Sequence, residues 1–319
     1  MEAKKIYSLS ELYSNKAKTM QQLALEGVHL KPLKKLFGNY VFEESLIHFP
    51  SERGVGKTFL GIQLCLAISN LWPSFLGEEI NLHGNTLFVN CELGERLMQQ
   101  RLARMFMAMG KPLTNEVFES IVYTTREGLE IELKKISNLI ENHNPVLMVL
   151  DNFRMAFLKE DTNRNHVAAQ AMKMILDLKD KYKMAIIITD HTRKHTANYL
   201  TTSDLQTGSG TKSDLVDGDF FLRRSSQAKN LRILKRVKSR LSEEEENAKL
   251  ISFDCNTLWF ELEEESVDEL DHIQGDVIND KHEKKILVKK LREEKDLTIE
   301  EIVDKTGVPK STVHRWINS

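Results

Sequence analysis

The chain has 319 residues, 41% of them hydrophobic and 29% charged, with a formal net charge of −2, which is enough for about two domains, one with a sizeable core. No apolar run approaches the roughly 18–20 residues that cross a bilayer, and the opening residues 1–8 lack the apolar segment of a signal peptide, so the expectation is a cytoplasmic protein with no membrane partner. The three cysteines, Cys65, Cys91 and Cys255, lie far apart without CxxC spacing, which argues against zinc or a disulfide framework and reads each as a small buried hydrophobe.

In chain order, residues 9–26 and 31–37 are weakly helical and too poor in apolar residues for a core of their own, so residues 1–40 read as an N-terminal helical arm. Residues 45–50 form a short apolar strand, and Ser51-Glu52-Arg53-Gly54-Val55-Gly56-Lys57-Thr58 follows it. This stretch reads as a phosphate-binding loop set between that strand and an apolar helix starting at Thr58. Glycines let the backbone turn so that its N–H groups face a polyphosphate, and the helix N-terminus adds partial positive charge. Lys57 would reach the β/γ-phosphates and the Thr58 hydroxyl would be a ligand for Mg²⁺, with Arg53, Gly54, Val55, Gly56 and Phe59 completing the nucleotide-binding set. Ser51 departs from the GxxxxGK[ST] pattern, in which the first residue is glycine.

Beyond the loop, apolar strands at 85–90, 121–124, 146–150 and 185–189 alternate with helical stretches at 95–109, 130–142 and 166–182. Continuous apolar strands in this alternation predict an α/β domain with a mostly parallel sheet. Residues 191–218 are polar and read as a functional loop. Apolar runs at 220–222, 231–234, 250–253 and 258–260 read as antiparallel strands extending the sheet, closing an α/β domain at 41–262. Residues 261–280 hold nine acidic and no basic residues, and 263–281 reads as a solvated acidic linker; residues 1–260 carry +4 and residues 281–319 carry +3. The near-neutral total therefore leaves nucleic-acid binding open.

Hydrolysis needs a metal-holding carboxylate and a group that activates water. Asp151, after five apolar residues, fits the metal role together with Thr58. Residue 152 is Asn, so no Glu follows that Asp directly, and Glu92 at the end of the preceding strand is the candidate base. A helix-start acid with no catalytic role would carry the same residue type there.

The phosphate loop, Asn90-Cys91-Glu92-Leu93, Asp151 without an adjacent Glu, and the stretches 161–165 and 188–194 resemble the RecA-like ATPases, and within them the DnaB-like and plasmid RepA-like hexameric replicative helicases, over roughly residues 38–262. The resemblance implies ATP and Mg²⁺ as ligands and a homo-oligomer, expected as a hexamer, around single-stranded DNA. It makes His191 a sensor of the γ-phosphate and the 193–212 segment a DNA-facing loop with Arg193, Lys194 and Lys212 as phosphate contacts and Gly208 and Gly210 for movement. It also makes Lys238 and Arg240 trans-acting cations that complete a neighbour's site; a plain solvated basic strand reads equally from the residues alone.

Residues 282–319 form a small helical unit. A first helix over 283–294 presents Ile286, Leu287 and Leu291; two short helices then meet at Thr306-Gly307-Val308, with Pro309 opening the second. Ile299, Ile302, Val303, Val308, Val313 and Trp316 are the expected core, and Lys310, Ser311, Thr312, His314 and Arg315 the exposed face. The pattern resembles a helix-turn-helix of the resolvase and repressor type, which implies duplex DNA as a partner, although such units also dock proteins.

Overall fold

The computed structural model describes residues 18–109, 117–157, 165–192, 201, 211–243, 245, 247–273, 285, 288–289, 291–292 and 297–317. Residues 18–34 belong to a unit of their own. Its helix α1 (Met20–Val28) opens on a reciprocal capping box between Thr19 and Gln22, and every residue on it is exposed. The rest of the predicted 9–26 helix lies outside the described residues.

The second unit starts at Lys35. The helix predicted over 31–37 is not formed. Lys35–Phe37 is strand β1, paired antiparallel with β2 (Val41–Phe42). Burial decides this: Leu36 and Phe37 are both fully covered, with Phe37 stacked on Tyr40 at 4.7 Å, and tertiary packing overrides a weak local preference. The α/β domain therefore begins before residue 41.

The chain continues through β3 (Leu46–Ser51), α2 (Lys57–Ser69), a small hairpin of β4 (Ser74–Phe75) and β5 (Glu78–Glu79), β6 (Thr86–Asn90), α3 (Glu95–Met109), β7 (Ser120–Thr124), α4 (Leu129–His143) and β8 (Leu147–Asp151). Then come α5 (Phe153–Ala156), α6 (Asn165–Tyr182), β9 (Ala185–His191), α7 (Thr211–Leu215), β10 (Gly218–Arg224), β11 (Leu231–Ser239), β12 (Ala248–Asp254) and β13 (Trp259–Val267). One nine-stranded sheet has the order β13-β12-β11-β10-β3-β9-β8-β6-β7. From β10 to β7 all pairings are parallel; β11, β12 and β13 are antiparallel. The expectation of four antiparallel additions is thus corrected at the first, since β10 lies parallel to β3. Every residue of β3, β6 and β8 is buried, because helices cover both faces: α2 and α3 pack on one, α4 and α6 on the other. Cys65 and Cys91 are buried as expected, whereas Cys255 is exposed in the turn between β12 and β13.

The antiparallel edge returns to α2. Gln63 on that helix donates to the carbonyl of Phe260 at 2.8 Å and accepts from its N–H at 2.9 Å, so one amide side chain continues the pairing of β13. β13 runs to Val267, past the expected linker boundary, and the acidic segment continues into a 3₁₀ turn, Glu269–His272. Glu269 is 1% exposed and is not part of a solvated spacer. One of its oxygens accepts from Arg223 at 2.8 Å and from the Thr201 backbone at 2.9 Å, and the other from Lys235 at 2.8 Å. The remainder of the linker, 274–281, lies outside the described residues.

The C-terminal helices are α8 (Ile299–Thr306) and α9 (Lys310–Ile317), joined through Gly307 in the left-handed conformation (φ +64°). Val288, Leu291, Ile302, Val308, Val313 and Trp316 form their core. Ile286 and Leu287 lie outside the described residues. No helix among the described residues is long and apolar enough to cross a membrane.

Removing one member of a buried ion-pair cluster leaves its partners desolvated and unpaired. Glu269→Ala should therefore lower the unfolding free energy by about 3–5 kcal/mol, read from urea denaturation. Lys173→Ala, which breaks a solvent-exposed pair with Asp177, should leave the midpoint in place.

Candidate functional site

The strands β3, β9, β8 and β6 run parallel as neighbours, so their C-terminal ends open on one edge of the sheet. The register sets Ser51 opposite His191 and Asn90 opposite Asp151. Ligands of open parallel sheets bind at this edge. The phosphate loop leaves β3 there, with Gly54 and Gly56 at φ +68° and +115°, both in the left-handed range. At Gly56 a side chain is also sterically excluded, because a Cβ would lie 2.5 Å from Cζ of Phe260. Gly56 caps α2, so the loop hands over directly to a helix N-terminus.

Lys57 is buried at the first position of α2. Its Nζ donates to the carbonyls of Ser51 (3.1 Å) and Glu52 (3.2 Å) and lies 3.2 Å from Nδ1 of His191. Burial pushes its pKa down to about 8, against the pull of Asp151 and Asp190. Burial also lowers the pKa of His191, and the Lys57 charge adds to that, so the structure favours a neutral imidazole beside the lysine.

Asp151 is 1% exposed and takes one hydrogen bond on each oxygen, from Thr58 Oγ1 and Thr189 Oγ1, both at 2.6 Å. Burial raises its pKa, and the two hydroxyls oppose that. A desolvated carboxylate beside a hydroxyl is a hard-oxygen pair that suits Mg²⁺, an ion that takes few protein ligands and keeps waters and phosphate oxygens. Among the described residues, no group of three His, Cys, Asp or Glu side chains is arranged for a metal. Thr58 and Asp151 would hold the ion, which would supply positive charge to bound phosphate oxygens. Glu92 is exposed at the end of β6, and its Oε2 accepts from Nδ2 of Asn152 at 2.6 Å. The peptide bond between Asp151 and Asn152 is cis.

The structure brings together Lys57, Thr58, Glu92, Asp151 and His191. It does not bring Lys238 and Arg240 to them. Those two lie at the far end of β11, paired near Gly218 and Asp219, where Lys238 donates to the Ser213 carbonyl and Arg240 to that of Asp214 at 2.5 Å. Lys212, expected as a DNA contact, is 4% exposed and donates to Asp190 at 2.5 Å, with its ammonium 4.6 Å from the Phe153 ring centre. Asp190 in turn lies 3.6 Å from Nε2 of His48, and Nδ1 of His48 is 3.2 Å from Asp219. Arg193, Lys194, Gly208 and Gly210 lie outside the described residues. On α9, Lys310, Ser311, His314 and Arg315 are exposed and Thr312 is half-buried; Lys310 pairs with Glu300 on α8.

Several site residues were not visible in the sequence. Arg224 donates to the carbonyl of Gly54 at 2.8 Å and of Arg53 at 3.2 Å, and buried Arg232 donates to that of Val55 at 3.2 Å, so the β10–β11 hairpin braces the phosphate loop. Arg101 stands over the Phe59 ring at 5.0 Å; burial lowers its pKa against the attraction of Asp151 and Glu92. Phe59 stacks on Phe253 at 5.4 Å. An arginine on an amphipathic helix, or in a basic strand, carries no local sign of such a role.

The fold is similar to the crystal structure of a KaiC-like protein from the hyperthermophilic archaeon Pyrococcus horikoshii OT3, with a TM-score of 0.52 and 12% sequence identity over 73% of this chain and 99% of that chain. Residues 291–319 match the family described as the IclR helix-turn-helix domain. Residues 14–197, more than half of the sequence and including the phosphate loop, Glu92, Asp151 and His191, match the family described as AAA domain. Motif, sheet order and match agree: the chain belongs to the AAA domain family and is a RecA-like P-loop ATPase with a C-terminal helix-turn-helix.

Proposed function

We propose that this chain is an ATP-hydrolysing hexameric DNA helicase or translocase, of the kind that serves a mobile or replicating element. The observation that carries this reading is the division of the site. The groups that would bind and hydrolyse the nucleotide converge on one strand edge, while Lys238 and Arg240 lie at the opposite end of the β10–β11 pairing. That placement supports their service to a neighbouring copy, and hence an assembly in which each interface holds one nucleotide. Within a site, the loop residues 53–59 would bind ATP, Thr58 and Asp151 would hold Mg²⁺, Glu92 would take the proton of the attacking water, and His191 would report the γ-phosphate through Lys57. Lys238 and Arg240 would stabilise transition-state charge across the interface. The α9 face of Lys310, Ser311, Thr312, His314 and Arg315 would approach duplex DNA.

A second reading, an ATP-switched DNA-binding regulator without unwinding, is favoured by the burial of Lys212, which leaves one fewer exposed cation for a channel, and by the helix-turn-helix match at residues 291–319. Strand displacement on forked DNA, measured alongside ATP hydrolysis with and without single-stranded DNA, separates the two. DNA-stimulated hydrolysis with displacement supports the helicase; hydrolysis with no displacement selects the regulator. Deleting residues 281–319 should weaken duplex binding and leave hydrolysis intact.

Glu92→Gln should retain nucleotide and slow hydrolysis about 10²–10⁴-fold, the span of a general base; wild-type turnover would remove Glu92 from the chemistry. Lys57 supplies a pH dependence. With a pKa of about 8 in the free protein, its ammonium form is favoured by bound phosphates, so binding should take up a proton as pH rises above that value. Nucleotide affinity should fall in the same range. Calorimetry in buffers of different ionisation enthalpy should show uptake near one proton at about pH 9 and little at about pH 7. Uptake near zero at both would mean that Lys57 is charged throughout.

A further inference from the structure

We infer that Asn152 is a positioning residue for the water-activating carboxylate: its side-chain amide selects the orientation of Glu92 that leaves one oxygen clear to accept a proton. This rests on the reading of Glu92 as general base given above. Asn152 is 1% exposed and is held from two directions. Its Oδ1 accepts from the Met155 N–H at 3.1 Å as the N-cap of α5. A backbone N–H requires an oxygen there, which decides the orientation of the amide, so Nδ2 is the atom that faces Glu92 Oε2 at 2.6 Å.

The backbone makes the pairing possible. Asn90 is in register with Asp151, and the Cys91 N–H donates to the Asp151 carbonyl at 2.7 Å, so residues 92 and 152 leave the sheet side by side. Glu92 itself is exposed, and a free glutamate side chain spreads over many rotamers. An amide locked by its own cap reduces that spread. It also does so without charge. Among the described residues, Lys57 from α2, Arg101 from α3 and Asp151 from β8 each interact electrostatically with Glu92. A further cation at position 152 would weaken Glu92 as a base, and a further carboxylate would disfavour its ionised form. A neutral N–H donor orients it and does neither to a comparable extent.

The test uses the full chain with ATP and Mg²⁺. Asn152→Ser keeps an oxygen for the cap but is too short to reach Glu92; Asn152→Asp keeps the cap and places a carboxylate against Glu92. For Asn152→Ser, kcat should fall about tenfold with nucleotide Kd within about twofold of wild type. For Asn152→Asp, the acidic limb of the kcat–pH profile should move up by about one pH unit, which loss of a structural contact would not cause. In a Glu92→Gln background neither change should lower kcat further. Wild-type or faster turnover in Asn152→Ser beside a slow Glu92→Gln, or an unmoved limb in Asn152→Asp, would overturn the assignment while leaving Glu92 as the base. Wild-type turnover in Glu92→Gln would instead remove the base, and the role of Asn152 with it. Should the Ser variant not fold, the pH limb of Asn152→Asp decides.

Discussion

The sheet depends on four ionisable side chains buried side by side near its middle. Asp190 on β9, His48 on β3 and Asp219 on β10 stand in a row, and Lys212 closes one end; none is more than 4% exposed. Each would cost several kcal/mol alone in such a place. Burial works against a charge on His48, but the carboxylates on both sides raise its pKa; burial likewise opposes a charge on Asp190, yet His48 and Lys212 hold it well below the usual carboxylate range. The two carboxylates thus alternate with a histidine and a lysine, so each buried acid has a basic partner. A one-residue slip of β3 would turn His48 into the apolar cluster formed by Ile47, Phe49 and α2, so the row also fixes register. That register sets Ser51 beside His191 and starts the phosphate loop at the right height.

From this fixed edge the site follows with few further choices. Lys57 and Thr58 are consecutive at the start of α2, and they point to different strands: one reaches His191 on β9, the other Asp151 on β8. A helix N-terminus thereby ties the two strands that flank the site. Asp151 is desolvated with one hydroxyl donor on each oxygen; burial raises its pKa in spite of those donors, so a cation beside it would favour the ionised form. The arginines of the β10–β11 hairpin hold the loop from outside by its carbonyls, which leaves its N–H groups for phosphate.

The sequence disclosed those features whose physical cause is local. Buried strands are apolar throughout, the loop needs glycine at positions 54 and 56, and Gly307 ends α8. What it hid were partnerships between distant residues. Lys212 reads as a loop cation until Asp190, 22 residues earlier, is found beside it. Glu269 reads as one carboxylate in an acidic run, yet Arg223 and Lys235 come from strands formed well before it and draw it inside. At residues 35–37 the local pattern suggested helix, and burial of Leu36 and Phe37 against the domain gave a strand.

On the proposed assignment, the water-activating carboxylate, Glu92, follows the end of β6 while the metal carboxylate, Asp151, ends β8, and this division has a structural consequence. When both groups follow one another on a single strand, their separation is set by covalent geometry. Here it is set by hydrogen bonding between two strands, through the Asn90–Asp151 register and the Cys91 N–H to Asp151 carbonyl bond. Pairing between strands fixes backbones to within a hydrogen bond's tolerance but leaves an exposed glutamate free about its own torsions. A side chain bridging the two strand ends is therefore the natural complement to this division, and Asn152, anchored at its oxygen by α5, spans that gap.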